Sequence, residues 1–301
     1  MRSSSSDIVR ALFRQPSGAI GLAALATLLV VSVAAPVLAP FDPNETHIQD
    51  ILAAPGLPYL LGTDELGRDL LSRLLHGGLT SMALSFAAVG VGGTLGVTTG
   101  LLAGYRGGVL DALLMRFVDA LFAFPMILIG ICAVIVLGSG WLPVGVAIAI
   151  GVTPTFARLG RAEVIRVSAR DYVKASRAMG ARGAWILAKH ILPNILTPIV
   201  VQLTLAASVA IVMSSALDFL GLGAQPPNPS WGNMLQAGRL YLREAPLYAI
   251  TPGVALTVFV ISANLVSAAL TNALDPKART QLRTRAGRSV ADSQKKKGAA
   301  L

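Results

Sequence analysis

Charge is scarce in this chain. Only 13% of its 301 residues are Asp, Glu, Lys or Arg, about half of what a water-soluble domain carries, and a soluble globular fold is thereby excluded. Cysteine is scarcer still: Cys132 stands alone, which rules out an intrachain disulfide and any cysteine-based zinc site. Set within an apolar run, Cys132 is expected as a small buried residue. The three histidines, His47, His76 and His190, fall in segments on opposite sides of the apolar runs and cannot share a metal ion, so no metal site is expected. An intramembrane hydrolase would need a serine and a base facing each other within the bundle, yet no histidine lies in an apolar run and no G-x-S-x-G string occurs. No catalytic residue is assigned. A G-x-x-x-x-G-K-[ST] phosphate loop is also missing, so the chain cannot hydrolyse ATP by that device, and no cofactor of its own is expected.

What is abundant is apolar sequence, 54% of the chain. Six runs approach the roughly 20 residues that cross a bilayer: Gly18 to Leu38, Thr80 to Gly104, Phe117 to Leu137, Trp141 to Phe156, Ile195 to Ala216 and Leu247 to Leu270. The fold class is therefore an all-α integral membrane protein with six transmembrane helices. Residues 18–275 form one membrane bundle, preceded by a segment 1–17 and followed by a basic tail, 276–301. The first run has basic residues before it, as a secretory signal does, but exceeds the roughly 7 to 15 residues of a signal core and reads as an uncleaved span. Pro154 in the fourth run predicts a kink or an early end.

The net charge of +10 raises nucleic acid as a partner, and the placement of the basic residues removes it. Twenty-one of the 25 Lys and Arg residues lie in alternate segments beginning with the N-terminus, whereas Arg68, Arg73, Arg239 and Arg243 occupy the others. The positive-inside rule then puts both termini in the cytoplasm. Lys295 to Lys297 read as a solvated, disordered end touching anionic lipid at most.

The cytoplasmic segment between the fourth and fifth runs, about residues 158–194, is too polar for lipid and too helix-prone for a plain linker. Asp171 suits a helix start and Gly180 its stop. Between them Tyr172, Ala175 and Met179 share one face, and Arg170, Lys174 and Arg177 another. A helix lying on the membrane surface, basic side to the headgroups, is one reading. A docking helix for a partner protein is the other, favoured by the small residues Ala175, Ser176 and Ala178, which anchor poorly in lipid but seat closely in a groove.

This segment resembles the permease subunits of bacterial ATP-binding-cassette importers, marked by E-A-A-x-x-x-G followed by I-x-L-P. Here the strings are Lys174-Ala175-Ser176, Gly180 and His190-Ile191-Leu192-Pro193. Glu has become Lys174, the second Ala Ser176 and the first Ile His190. The resemblance is to the C-type partner of the peptide and nickel branch and extends over about residues 61–276. It includes Leu61 to Asp69 (LGTDELGRD), Asp218 to Gly223 (DFLGLG), Pro226 to Gly232 (PPNPSWG) and Ala273 to Pro276 (ALDP). Where the family has Gly-Asp-Gly-Leu-Arg-Asp before the last of these, this chain has Ser267 to Asn272 without the charges. Gly77-Gly78-Leu79 likewise lacks the usual arginine.

The resemblance implies that Asp171, Tyr172, Lys174, Ala175, Ser176, Arg177, Ala178, Met179, Gly180, Leu192 and Pro193 couple the channel to an ATPase. It implies as partners a B-type permease subunit, two ATP-binding subunits that hold ATP and Mg, and an extracytoplasmic solute-binding protein, in the bacterial inner membrane. Family members move dipeptides, oligopeptides, glutathione-like molecules or metal chelates. The alternative is a stand-alone channel or secondary transporter, which has no need of the Gly180 and Leu192-Pro193 pattern.

Polar residues inside the runs are costly and therefore informative. Asp119 calls for an arginine, Arg116 or Arg158, in preference to a role in proton coupling. Gln202, Thr204 and Asn264 either line a pore or bond between helices. Gly92, Gly96 and Gly100 form a row suited to close helix packing or to a hinge. The segment Gln225 to Trp231 reads as a rigid loop at the membrane interface.

Overall fold

The structure, a computed structural model, describes residues 15–274, so most of the N-terminal segment and the basic tail lie outside the described residues. The described residues are predominantly helical, with five helices long and apolar enough to cross a membrane, or six when a pair bent at a short break is counted as one span. Helix α1 (Pro16–Val33) opens on a proline, whose missing N–H is no loss in a first turn. It gives way at Ala34 to a one-turn α2 (Ala35–Leu38), because Pro36 cannot donate to the carbonyl four residues earlier. The first run is thus a helix and a turn.

Helix α3 (Leu70–Arg106) is 37 residues long, about 55 Å at 1.5 Å per residue, and begins ten residues before the second apolar run. Asp69 caps it by accepting from the Ser72 N–H at 2.8 Å. The third run is corrected by the structure. It is not one straight span: α4 (Gly108–Phe122) and α5 (Met126–Leu137) meet at 88°. Pro125 is the cause, since it lacks a donor and biases Phe124 away from the helical region. Of the two outcomes expected at Pro154, a kink or an early end, the early end does not occur: helix α6 (Trp141–Ser168) runs past it, packed against α3 along its length.

The α3–α6 pair is the most extensive contact in the molecule, and the glycine row builds it. A Cβ at Gly92, Gly96 or Gly100 would collide with the backbone oxygen of Ala149, Thr153 or Ala157 respectively. Four-residue steps on one helix meet four-residue steps on the other, so the packing role of the row is the one observed. After α6 come the short α7 (Asp171–Ala178) and the one-turn α8 (Gly183–Ile186), then the long α9 (Leu192–Phe219), a short α10 (Trp231–Gly238) and α11 (Leu247–Leu274). Phe156, Ile148, Ile195 and Leu217 join α6 and α9 in the main core, and Met82, Ile211, Trp231 and Phe259 join α3, α9, α10 and α11 in a second.

One expectation about exposure fails. Cys132 is exposed, because α5 turns most of its residues outward and buries only Gly130 and Val134. Trp231, at the end of the loop 225–231, is buried, its Nε1–H donating to the Leu74 carbonyl at 3.0 Å and its backbone N–H to Ser81 Oγ at 3.1 Å.

Candidate functional site: the α7 end of the bundle

Helix α7 is held by few residues and offers the rest. Val173 and Ser176 are buried, while Tyr172, Ala175 and Met179 all remain exposed. Ala175 and Met179 of the face expected from spacing point away from the body, while Tyr172, partly exposed, also lays its ring edge-on to His190; the anchoring side, Val173 above all, was not singled out in the sequence. Of the other residues of the segment, Lys174 sits 3.9 Å from Asp171 with both side chains in solvent. Arg177 turns its guanidinium over the Tyr105 ring at 5.6 Å and so stands against the end of α3.

The helix stops as the sequence suggests. Gly180 takes φ +81°, a conformation that glycine adopts without steric penalty. Its N–H donates to the Arg177 carbonyl at 3.1 Å and the Ala181 N–H to the Ser176 carbonyl at 3.1 Å, the paired bonds of a Schellman ending. The chain then reverses, and Gly183 lies close against Tyr105.

Between α8 and α9 the backbone widens into a π-helical turn, Leu187–Ile191. Pro193 in the second position of α9 explains it, since its ring would clash with the Lys189 carbonyl in a regular helix and it has no N–H to give. Asn194 repairs the next carbonyl by donating its side-chain N–H to His190 O. Leu192 and Pro193 thus set the geometry of the entry to α9, and the turn carries His190 under α7.

Two ion pairs tie α4 to α6 at the same end. Arg161 donates to both carboxylate oxygens of Asp111, each at 2.6 Å. Arg158 donates to Asp119 at 2.7 Å and lies 4.2 Å over the Phe122 ring, so Arg158 is the partner Asp119 called for. Together these groups line a polar cleft of about 450 Å³ with Gly108 and Met115. Gln202 is half-buried on α9. Thr204 and Asn264 donate to their own helices, to Val200 O at 3.2 Å and Val260 O at 2.9 Å. Among the described residues no group of three or more His, Cys, Asp or Glu is placed to hold a metal ion.

The opposite end is braced by buried polar side chains. Asp64 accepts from the Arg68 Nε–H at 2.6 Å and from the backbone N–H of Leu66 and Arg68 at 2.9 Å, so the LGTDELGRD string folds into a cap. Asp218, from the second string, accepts from Ser230 Oγ at 2.6 Å and from the Ala224 N–H at 3.0 Å. It therefore closes the loop 220–230, and Ser230 in turn caps α10.

Comparison with known proteins agrees with this arrangement. Residues 96–280 match the binding-protein-dependent transport system inner membrane components, and residues 3–55 match the N-terminal TM domain of oligopeptide transport permease C. The chain is 41% identical over 273 residues to the di/tripeptide transport system permease protein DppC of Pseudomonas aeruginosa, covering 88% of this chain and 90% of that one. It is 42% identical over 261 residues to the glutathione transport system permease protein GsiD of Pectobacterium atrosepticum, covering 86% and 87%. In fold it is similar to a chain of the inward-facing MetNI methionine ABC transporter, with a TM-score of 0.56 at 20% identity over 68% of this chain and 98% of that chain. The chain belongs to the family of binding-protein-dependent transport system inner membrane components and is a multi-pass permease subunit of an ATP-binding-cassette importer.

Proposed function

We propose that this chain is one of two channel-forming subunits of an importer for peptides or a related small solute, energised by ATPase subunits that seat on α7. The observation that carries the docking role is the division of α7, whose Val173 and Ser176 hold it to the body while Ala175 and Met179 face outward beside the partly exposed Tyr172. A helix anchored by two residues on one side and presenting small and apolar groups on the other fits a groove in a partner protein. The named substrates of the relatives support a peptide or glutathione-like solute.

Family membership supports the remaining assembly of the proposal: a B-type permease, two ATP-binding subunits that hold ATP and Mg, and an extracytoplasmic solute-binding protein. The apolar side chains that α4 and α5 turn outward, among them Val109, Phe117, Ile135 and Val136, face lipid or the second permease. The distribution of Lys and Arg supports a cytoplasmic α7 end with both termini on that side.

Reconstitution tests the proposal. The purified chain alone in vesicles neither hydrolyses ATP nor takes up radiolabelled dialanine. Together with the other permease, the ATPases and the loaded binding protein it does both. ATP hydrolysis by the isolated, contaminant-free chain, or uptake without the ATPases, would contradict it.

A further inference from the structure

Two residues of the inner segment, Ser176 on α7 and His190 on the π turn, touch each other: Oγ and Nε2 are 3.2 Å apart. The direction of this bond follows from proton counting. Ser176 Oγ also lies 2.9 Å from the Tyr172 carbonyl oxygen, which can only accept. The single hydroxyl proton is committed there, so the contact with His190 requires Nε2–H to donate to Oγ. The imidazole is held in that orientation by two rings edge-on, Trp185 with its centroid at 4.9 Å and Tyr172 at 5.7 Å.

The bond crosses the chain reversal at Gly180. Beyond it α8, the π turn and α9 continue as one helix, Gly183–Phe219, so His190 lies within the helix that crosses the membrane and Ser176 on the far side of the reversal. The polar connection across this reversal is the one His190 makes, since its backbone is part of the entry to α9 and its ring is bonded to α7. Val173, Ile186 and Ile191 pack beneath it in the same core as Phe156 and Ile195.

We propose that His190 is a positioning residue that makes α7 and α9 move as one body through its hydrogen bond to Ser176, so that its loss leaves ATPase docking intact while uncoupling hydrolysis from transport. This rests on the docking role of α7, and the two are separable: retention of the ATPase subunits on purification reads docking, and dialanine taken up per ATP hydrolysed reads coupling.

The test uses the complete importer in vesicles. His190→Gln keeps an N–H donor near the Nε2 position and retains the wild-type ratio. His190→Ile removes the donor, keeps the ATPases and lowers uptake per ATP several-fold, and Ser176→Ala, which leaves that donor without its acceptor, lowers the same ratio. The double variant Ser176→Ala/His190→Ile replaces the polar contact by an apolar one, and the two changes are non-additive: it recovers most of the ratio. Unchanged ratios in both single variants with the ATPases retained would overturn the proposal. So would loss of the ATPases from both, since the bond would then serve to hold the docking surface together and not to transmit its movement.

Discussion

Arg161 on α6 grips Asp111 on α4 through two parallel hydrogen bonds of 2.6 Å, the fork geometry that guanidinium and carboxylate share. The contact matters because α4 has little other hold on the bundle, with Val118 its one buried residue among those described. Asp111→Ala is expected to loosen α4 and destabilise the detergent-solubilised protein by about 1 kcal/mol, the upper range for a partly exposed pair. The exchange Asp111→Arg/Arg161→Asp restores part of the loss. A melting temperature unchanged by Asp111→Ala would show that α4 is held by other means.

The glycine row has a built-in control. Gly96→Leu places a side chain against the Thr153 carbonyl and the Phe156 side chain, whereas a Cβ at Gly90 meets nothing within 4 Å. Gly96→Leu is expected to cost more than the roughly 1 to 3 kcal/mol of ordinary overpacking, because backbone and not a flexible side chain is in the way, and to abolish accumulation of folded protein. Gly90→Ala accumulates normally. Equal yields and melting temperatures for the two would contradict the α3–α6 contact.

Trp231 is an anchor of the second core. Trp231→Ala removes a buried ring and leaves the Leu74 carbonyl without its donor, which predicts a loss of about 3 to 5 kcal/mol. Thermal unfolding in detergent measures it, and a loss below about 1 kcal/mol would show that the loop 220–230 is not fixed to α3 through this residue.

Topology is open to direct labelling. With Cys132→Ser as background, a single cysteine at Asn228, which is exposed at the α10 end, is expected to react with an impermeant maleimide from outside intact cells. One at Ala169, exposed beside α7, reacts only after the membrane is opened. The reverse pattern would invert the chain in the membrane.

How much of this was legible in the sequence depended on which physical quantity each signal reports. Hydropathy reports contact with lipid or core, so it found the crossings but missed the first ten residues of α3, where Arg73 and His76 sit in a helix. The same measure ran across Pro125, since Phe124 and Met126 are as apolar as their neighbours, and only the missing N–H marks the break. Helix ends are local: Asp171 opens α7 as an acidic first-turn residue and Gly180 stops it in a left-handed conformation, and both signals depend on nearby residues alone. The Ser176 to His190 contact was hidden: fourteen residues separate the pair, and only the π turn forced by Pro193 brings them together. Cys132 in an apolar run is exposed and not buried, because composition does not tell which face of a segment meets its own bundle.

The most direct test of α7 as the docking element is Ala175→Arg. The position is exposed between Tyr172 and Met179, so the added side chain should not disturb insertion or the fold of the chain. In a partner's groove the arginine is an unpaired buried charge, comparable to breaking a buried ion pair at about 3 to 5 kcal/mol, and the ATPase subunits are expected to be lost on purification with dialanine uptake abolished. A helix resting on anionic headgroups would accept one more arginine without harm. ATPase copurification and uptake equal to wild type in Ala175→Arg would contradict docking.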